Sequence, residues 1–258
     1  MTGMNLYCET HGRGRDLVLL HGWAMQSTIW QPLLQRLTQH WRVTMIDLPG
    51  HGKSRATQLA KWDERLLDAL LAVAPEQAVW LGWSISGMLA LQLARHAADH
   101  VDKLVLVASN LKFPKSDDWP HAVGTKVLQQ FHDDLVNDYQ RTLQRFLALQ
   151  VNGTDTARAT LRQLRDLLRA DLPPEKQTLN AGLVYLCETD LRNAVSDLQQ
   201  DTLWLAGSHD TLVPVGAERP IQALLPDIKT HVFQGAGHAP FLSHSDEFIA
   251  VLKDFAYE

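Results

Sequence analysis

Between Val79 and Ala90 the chain reads Val-Trp-Leu-Gly-Trp-Ser-Ile-Ser-Gly-Met-Leu-Ala, an apolar run that meets a turn of small residues and leaves it as a helix. Successive apolar positions fit a strand buried on both faces, and such strands belong to parallel sheets covered by helices. A strand-to-helix turn this sharp lifts the Ser84 hydroxyl clear of the sheet, and the Ile85 amide stands at a helix start, where anions are stabilised. Ser84 is therefore the candidate nucleophile. The usual form of such a turn is Gly-x-Ser-x-Gly, whereas here the fifth position is Ser86 and the glycine is delayed to Gly87. Helix and strand approach closely there, so the position needs a small residue, and serine is among the few that fit. An ordinary strand-turn-helix connection reads the same way in isolation, so the surrounding chain has to decide.

The surrounding chain alternates. Asp16 to Trp23 and Val43 to Gly50 are short apolar strands ending in glycine turns, and Val101 to Ala108 is a further buried strand. Apolar residues at helical spacing fill Ile29 to Leu37, Trp62 to Ala74 and Gly87 to His96. From Leu111 to about Tyr185 the β-character disappears, giving way to amphipathic helices broken at Asn152-Gly153 and at Pro173-Pro174. Strands return at Thr202 to Gly207 and His231 to Gln234, and Asp246 to Phe255 reads as a closing helix. The pattern predicts an α/β fold: a mostly parallel sheet flanked by helices, with residues 1–110 and 186–258 forming the core and 111–185 a helical lid. That lid would lie over the C-terminal ends of the strands, where open parallel sheets bind ligands.

Two later strands end in residues that can complete a catalytic set with Ser84. Ser208-His209-Asp210 follows Gly207, and Gly235-Ala236-Gly237-His238 follows Gln234. A serine needs a base to take its proton, and the base needs an acid to fix its tautomer and stabilise the imidazolium. Asp210 alone suits a turn and His238 alone a structural histidine. Together with Ser84 they stand at three strand ends in the order Ser, Asp, His.

Composition limits the rivals. The formal net charge of -5 argues against bulk binding of nucleic acid, which needs a basic face. Two cysteines, Cys8 and Cys187, lie far apart and read as free thiols of a reducing compartment, with no metal-ligand spacing. Met1 to Asp16 contains no apolar run of a targeting segment, and no later stretch approaches a membrane span, so a cytoplasmic protein is expected. A monomer is expected, and the serine chemistry implies no metal or other cofactor. Gly52-Lys53-Ser54 invites a phosphate-loop reading, which fails because Asp47 stands where the first glycine is required.

The whole chain resembles the α/β-hydrolases. His21-Gly22-Trp23 is similar to the family's oxyanion segment, and Asp47-Leu48-Pro49-Gly50-His51-Gly52-Lys53-Ser54 to its Asp-x-Pro-Gly-x-Gly-x-Ser loop. The resemblance implies an oxyanion hole built from the backbone N–H groups of Trp23 and Ile85. Asp118-Trp119-Pro120, Gln140 to Gln150 and Gly237-His238-Ala239-Pro240-Phe241 narrow the likeness to the carboxylesterases of the biotin pathway. That narrower resemblance implies hydrolysis of the methyl ester of pimeloyl-acyl-carrier protein. It also implies an acyl site lined by Trp23, Ser84, Ile85, Phe146, Leu147, Ala148, Leu149, Gln150 and His238.

A carrier-protein partner has support in the residues as well. Six arginines stand between Tyr139 and Ala170 against two acids, a local positive excess in an acidic chain. Arg141 and Arg145 are four apart, as are Arg158 and Arg162, so each pair shares a helix face suited to carboxylates or phosphate. An acyl carrier protein is acidic and holds its acyl group on a phosphopantetheine arm, which makes these four arginines candidate partner contacts. A general esterase or thioesterase of the same fold would leave the arginines idle, and a non-catalytic binding protein would have no need of an intact triad.

Overall fold

The apolar runs lie side by side in one sheet. A computed structural model describes residues 4–57, 59–169 and 174–258. The strands are β1 (Cys8–Gly12), β2 (Arg15–Leu20), β3 (Trp41–Ile46), β4 (Ala78–Trp83), β5 (Val101–Val107), β6 (Asp201–Gly207) and β7 (Lys229–Phe233), in the spatial order β1-β3-β2-β4-β5-β6-β7. All neighbours are parallel except β1, which pairs antiparallel with β3 at the edge. Every residue of β4 is buried, as a central strand covered on both faces requires.

The helices are α1 (Gln31–Leu37), α2 (Glu64–Val73), α3 (Ile85–His96), α4 (Thr125–Asn137), α5 (Tyr139–Leu149), α6 (Ala157–Arg169), α7 (Lys176–Glu188), α8 (Glu218–Leu224), α9 (Pro240–Ser243) and α10 (Ser245–Tyr257). Their limits have local causes. Asp63 caps α2 by accepting the Arg65 N–H at 3.1 Å, and Asp138 caps α5 by accepting the Arg141 N–H at 3.1 Å. The expected break at Asn152-Gly153 is a turn in which Gly153 takes φ +76°. The expected break at Pro173 lies outside the described residues.

Four helices, α4 to α7, stand between β5 and β6, and α7 runs on to Glu188, past residue 185. The core is rich in aromatic rings. Trp30, Trp83, Phe241 and Phe248 are almost wholly buried, and Trp83 meets Phe241 edge-to-face at 5.0 Å. Burying each such ring stabilises the fold by about 1.5–3 kcal/mol. Cys8 and Cys187 are unpaired. Among the described residues no helix is long and apolar enough to cross a membrane.

Candidate active site

The C-terminal ends of β4, β6 and β7 bring Ser84, Asp210 and His238 together. His238 Nε2 accepts from Ser84 Oγ at 2.9 Å, and its Nδ1–H donates to Asp210 Oδ2 at 2.8 Å. The other carboxylate oxygen of Asp210 accepts the N–H groups of Leu212 and Val213 at 2.8 and 2.9 Å, which fixes the acid against rotation. All three residues are buried, and water is thus kept from competing for these bonds.

Ser84 carries the strain that a sharp turn imposes. Its φ of 59° with ψ -121° is an uncommon conformation for a non-glycine residue. The turn is held by the Ser84 N–H donating to Val107 O at 2.8 Å. Close approach of helix to strand is the reason for Gly82, since a Cβ there would lie 2.1 Å from Ser86 O. Ser86 itself is fully buried, and its Oγ donates to the carbonyl of His21.

Trp23 lies in the loop after β2, and Ile85 opens α3, where the first amides have no partner within the helix. Neither amide donates to a backbone acceptor among the described residues. Two braces hold the Trp23 loop. Asp47 accepts the Ser27 N–H at 2.7 Å on one carboxylate oxygen and the Lys53 N–H at 2.9 Å on the other, binding the loops after β2 and β3 together. His21 accepts the Leu48 N–H on Nε2 at 3.0 Å and donates from Nδ1 to Gly22 O at 2.9 Å. That arrangement needs a neutral imidazole, and burial lowers the His21 pKa to about 4. His51, with its ring centroid 5.0 Å away, is lowered to about 3, by burial first and by His21 second.

A cavity opens beside Ser84. Its walls are Trp23, Phe113, Val123, Leu128, Phe131, Phe146, Leu183, Leu186 and Leu212, with Ser84 the one polar residue lining it. Phe146 meets Trp23 edge-to-face at 4.8 Å. Of the residues 146–150 expected at the acyl site, the structure brings only Phe146 to this wall. Leu147 turns into the core, because α5 buries that face against its neighbours, while Ala148 is exposed on the opposite face. Leu149 and Gln150 do not line the cavity either. Gln150 is nonetheless adjacent to the triad, since its carbonyl accepts the His238 N–H at 2.8 Å.

Several contributors had no signal of their own in the sequence. Trp83 donates its indole N–H to His238 O at 2.7 Å, so the residue before Ser84 anchors the loop that carries the histidine. Cavity walls from α4 and α7 were legible only as amphipathic helix faces. Among the described residues no group of three His, Cys, Asp or Glu side chains is placed to hold a metal.

The four expected partner arginines divide into two kinds. Arg145 is ion-paired with Asp134, and Arg162 lies 3.8 Å from Asp166 one turn along α6. Arg141 and Arg158 are exposed and form no side-chain ion pair among the described residues. Arg158 and Arg162 border one open groove along α6 with Asp155 and Asp166.

A strand-order and triad geometry of this kind define an α/β-hydrolase, and the chain belongs to that family: residues 17–245 match the family described as alpha/beta hydrolase fold. At closer range it is similar to the pimeloyl-[acyl-carrier protein] methyl ester esterase of Xylella fastidiosa strain M12, 42% identical over 252 residues that cover 97% of this chain and 98% of that protein. A protein of the same name from Vibrio cholerae is 41% identical over 253 residues, covering 98% of each. Among solved structures, an esterase from Exiguobacterium antarcticum superposes with a TM-score of 0.88 at 21% identity, covering 98% of this chain and 96% of that one.

Proposed function

We propose that this protein is a serine carboxylesterase that hydrolyses the methyl ester of pimeloyl-acyl-carrier protein, yielding methanol and the free carboxylate. The observation that carries the chemistry is the pair of hydrogen bonds through His238, 2.9 Å to Ser84 and 2.8 Å to Asp210. Similarity of about 40% over nearly the full length of two esterases named for that substrate supports the choice of ester.

Ser84 Oγ attacks the ester carbonyl as His238 Nε2 takes its proton, and Asp210 stabilises the imidazolium. The oxyanion is held by the N–H groups of Trp23 and Ile85, where loss of one donor costs about 3 kcal/mol of transition-state stabilisation. Methanol leaves with the proton from His238. Water then repeats the sequence on the acyl-enzyme and releases the carboxylate. The apolar cavity bounded by Trp23 and Phe146 suits a methylene chain. The thioester at the carrier end is spared by distance from Ser84, so regioselectivity is a matter of positioning.

Arg141, Arg145, Arg158 and Arg162 serve in this reading as contacts for the acidic carrier, and residues 111–185 as a lid over the site. The test is to assay one preparation on methyl pimeloyl-acyl-carrier protein and on a short aryl ester. Hydrolysis of both, abolished by Ser84→Ala, is expected. Hydrolysis of the aryl ester alone makes the protein a general esterase, and hydrolysis of neither overturns the enzymatic reading.

A further inference from the structure

Ser86 stands where the elbow pattern carries glycine, and it is completely buried. A hydroxyl in the first turn of a helix ordinarily bonds to backbone nearby. This one donates instead to the carbonyl of His21, 65 residues away in sequence. The two ends of that bond are telling. His21 lies two residues before Trp23, and Ser86 directly follows Ile85, so the bond joins the two backbone segments whose amides would form the oxyanion hole.

The same loop is gripped elsewhere, but on other sides. Leu48 N–H reaches the His21 ring, and Gly22 packs so tightly on Trp83 that a Cβ at position 22 would lie 3.0 Å from the indole. Those contacts press the loop towards β3 and the sheet. The Ser86 bond ties it to α3. Glycine at position 86 makes no such tie, and alanine fills the space without a donor.

We propose that Ser86 is a positioning residue which sets the spacing between the Trp23 and Ile85 amides, and so acts on the tetrahedral oxyanion rather than on binding of the ester. The proposal rests on the serine-hydrolase reading above. The geometry of two donors matters because a displacement of well under 1 Å at a preorganised site weakens both bonds to the developing charge.

The experiment measures kcat and KM on p-nitrophenyl butyrate for the parent, Ser86→Ala and Ser86→Gly, with active sites titrated by a fluorophosphonate. Inhibition by phenylboronic acid, which forms a tetrahedral adduct on a serine, is measured beside inhibition by butyrate. Ser86→Gly restores the common elbow pattern, which guards against a variant that fails to fold. Both variants should lose about tenfold in kcat per titrated site with KM within about twofold, and boronate affinity should weaken by about the same factor. Butyrate inhibition should not change. Parental kcat in Ser86→Ala overturns the proposal, and so does a fall in kcat without a matching loss of boronate affinity. A parent that turns over no ester overturns both this proposal and the reading beneath it, whereas an active parent with unimpaired variants overturns this one alone.

Discussion

At the scale of single residues, the proposed triad should behave as one unit. Ser84→Ala and His238→Ala are each expected to lower ester turnover by about 10⁴-fold or more, with the double variant little worse than either, because removing one member disables the rest. Near-normal turnover in Ser84→Ala would remove the assignment. The buried pair His21 and His51 makes a separate prediction about pH. Their folded pKa values, about 4 and about 3, lie below the ordinary 6.5. The unfolded chain therefore binds these protons first as pH falls. Stability is complete above pH 6.5, declines below it, and stops declining on this account once the folded pKa values are reached. Between pH 7 and 5 each histidine contributes up to about 2 kcal/mol of loss. Urea denaturation at the two pH values checks this: His51→Asn should be less stable than the parent at pH 7 yet lose less on acidification. An equal or larger loss in the variant would rule out the neutral buried pair as a source of acid sensitivity.

At the scale of elements, what matters is how closely β4 and α3 meet. An alanine methyl at position 82 would lie 2.1 Å from Ser86 O and 2.6 Å from Gly87 N, and neither backbone atom can move without opening the turn. Gly82→Ala should therefore cost about 2 kcal/mol or more, seen as a fall in Tm of about 5 °C or greater. Gly153 makes the contrast, because its φ of +76° is left-handed but nothing lies within 4 Å of an added Cβ. Gly153→Ala should cost only about 1 kcal/mol of backbone strain. If the two melt alike, crowding at the elbow is not the reason for Gly82. The same contrast explains what could be read from sequence. Strand β4 and the Leu104-Val105-Leu106-Val107 half of β5 were legible because burial on both faces forces an unbroken apolar run. Ser84 and Asp210 were legible because each follows such a run, in β4 and β6, and His238 because it follows the short Val232-Phe233 segment of β7 through a Gly-Ala-Gly turn. Edge strand β1 was not, since its Cys-Glu-Thr-His-Gly is half exposed and paired on one side only. Of the contiguous segment 146–150 only Phe146 lines the cavity; a helix turns consecutive residues about 100° apart, which carries Leu147 and Ala148 off that face, and Gln150 stands at the C-terminal end of α5, where its carbonyl accepts the His238 N–H.

At the scale of the whole molecule, the proposed chemistry and the proposed recognition sit on different parts of the chain. Ser84, Asp210 and His238 hang from the sheet, whereas the arginines belong to α5 and α6 in a protein whose formal net charge is -5. Repulsion from an acidic carrier is thus the background, and only a local basic face can overcome it. The four arginines should not contribute equally. Arg145 is already bonded to Asp134, and Arg162 shares α6 with Asp166, so a partner would have to compete for them. Arg141 and Arg158 have no such claim on their charge among the described residues. The double variant Arg141→Ala/Arg158→Ala should therefore raise KM for methyl pimeloyl-acyl-carrier protein more than Arg145→Ala/Arg162→Ala does. Changing all four should raise it about tenfold or more and flatten its dependence on salt, because exposed complementary charge acts through encounter and is screened beyond about 10 Å at 0.1 M. Hydrolysis of a short aryl ester by the same proteins should stay at the parental rate, and that control separates lost recognition from a damaged site. If the quadruple variant processes the carrier-bound ester as well as the parent does, the arginines are solvated surface and the carrier docks elsewhere.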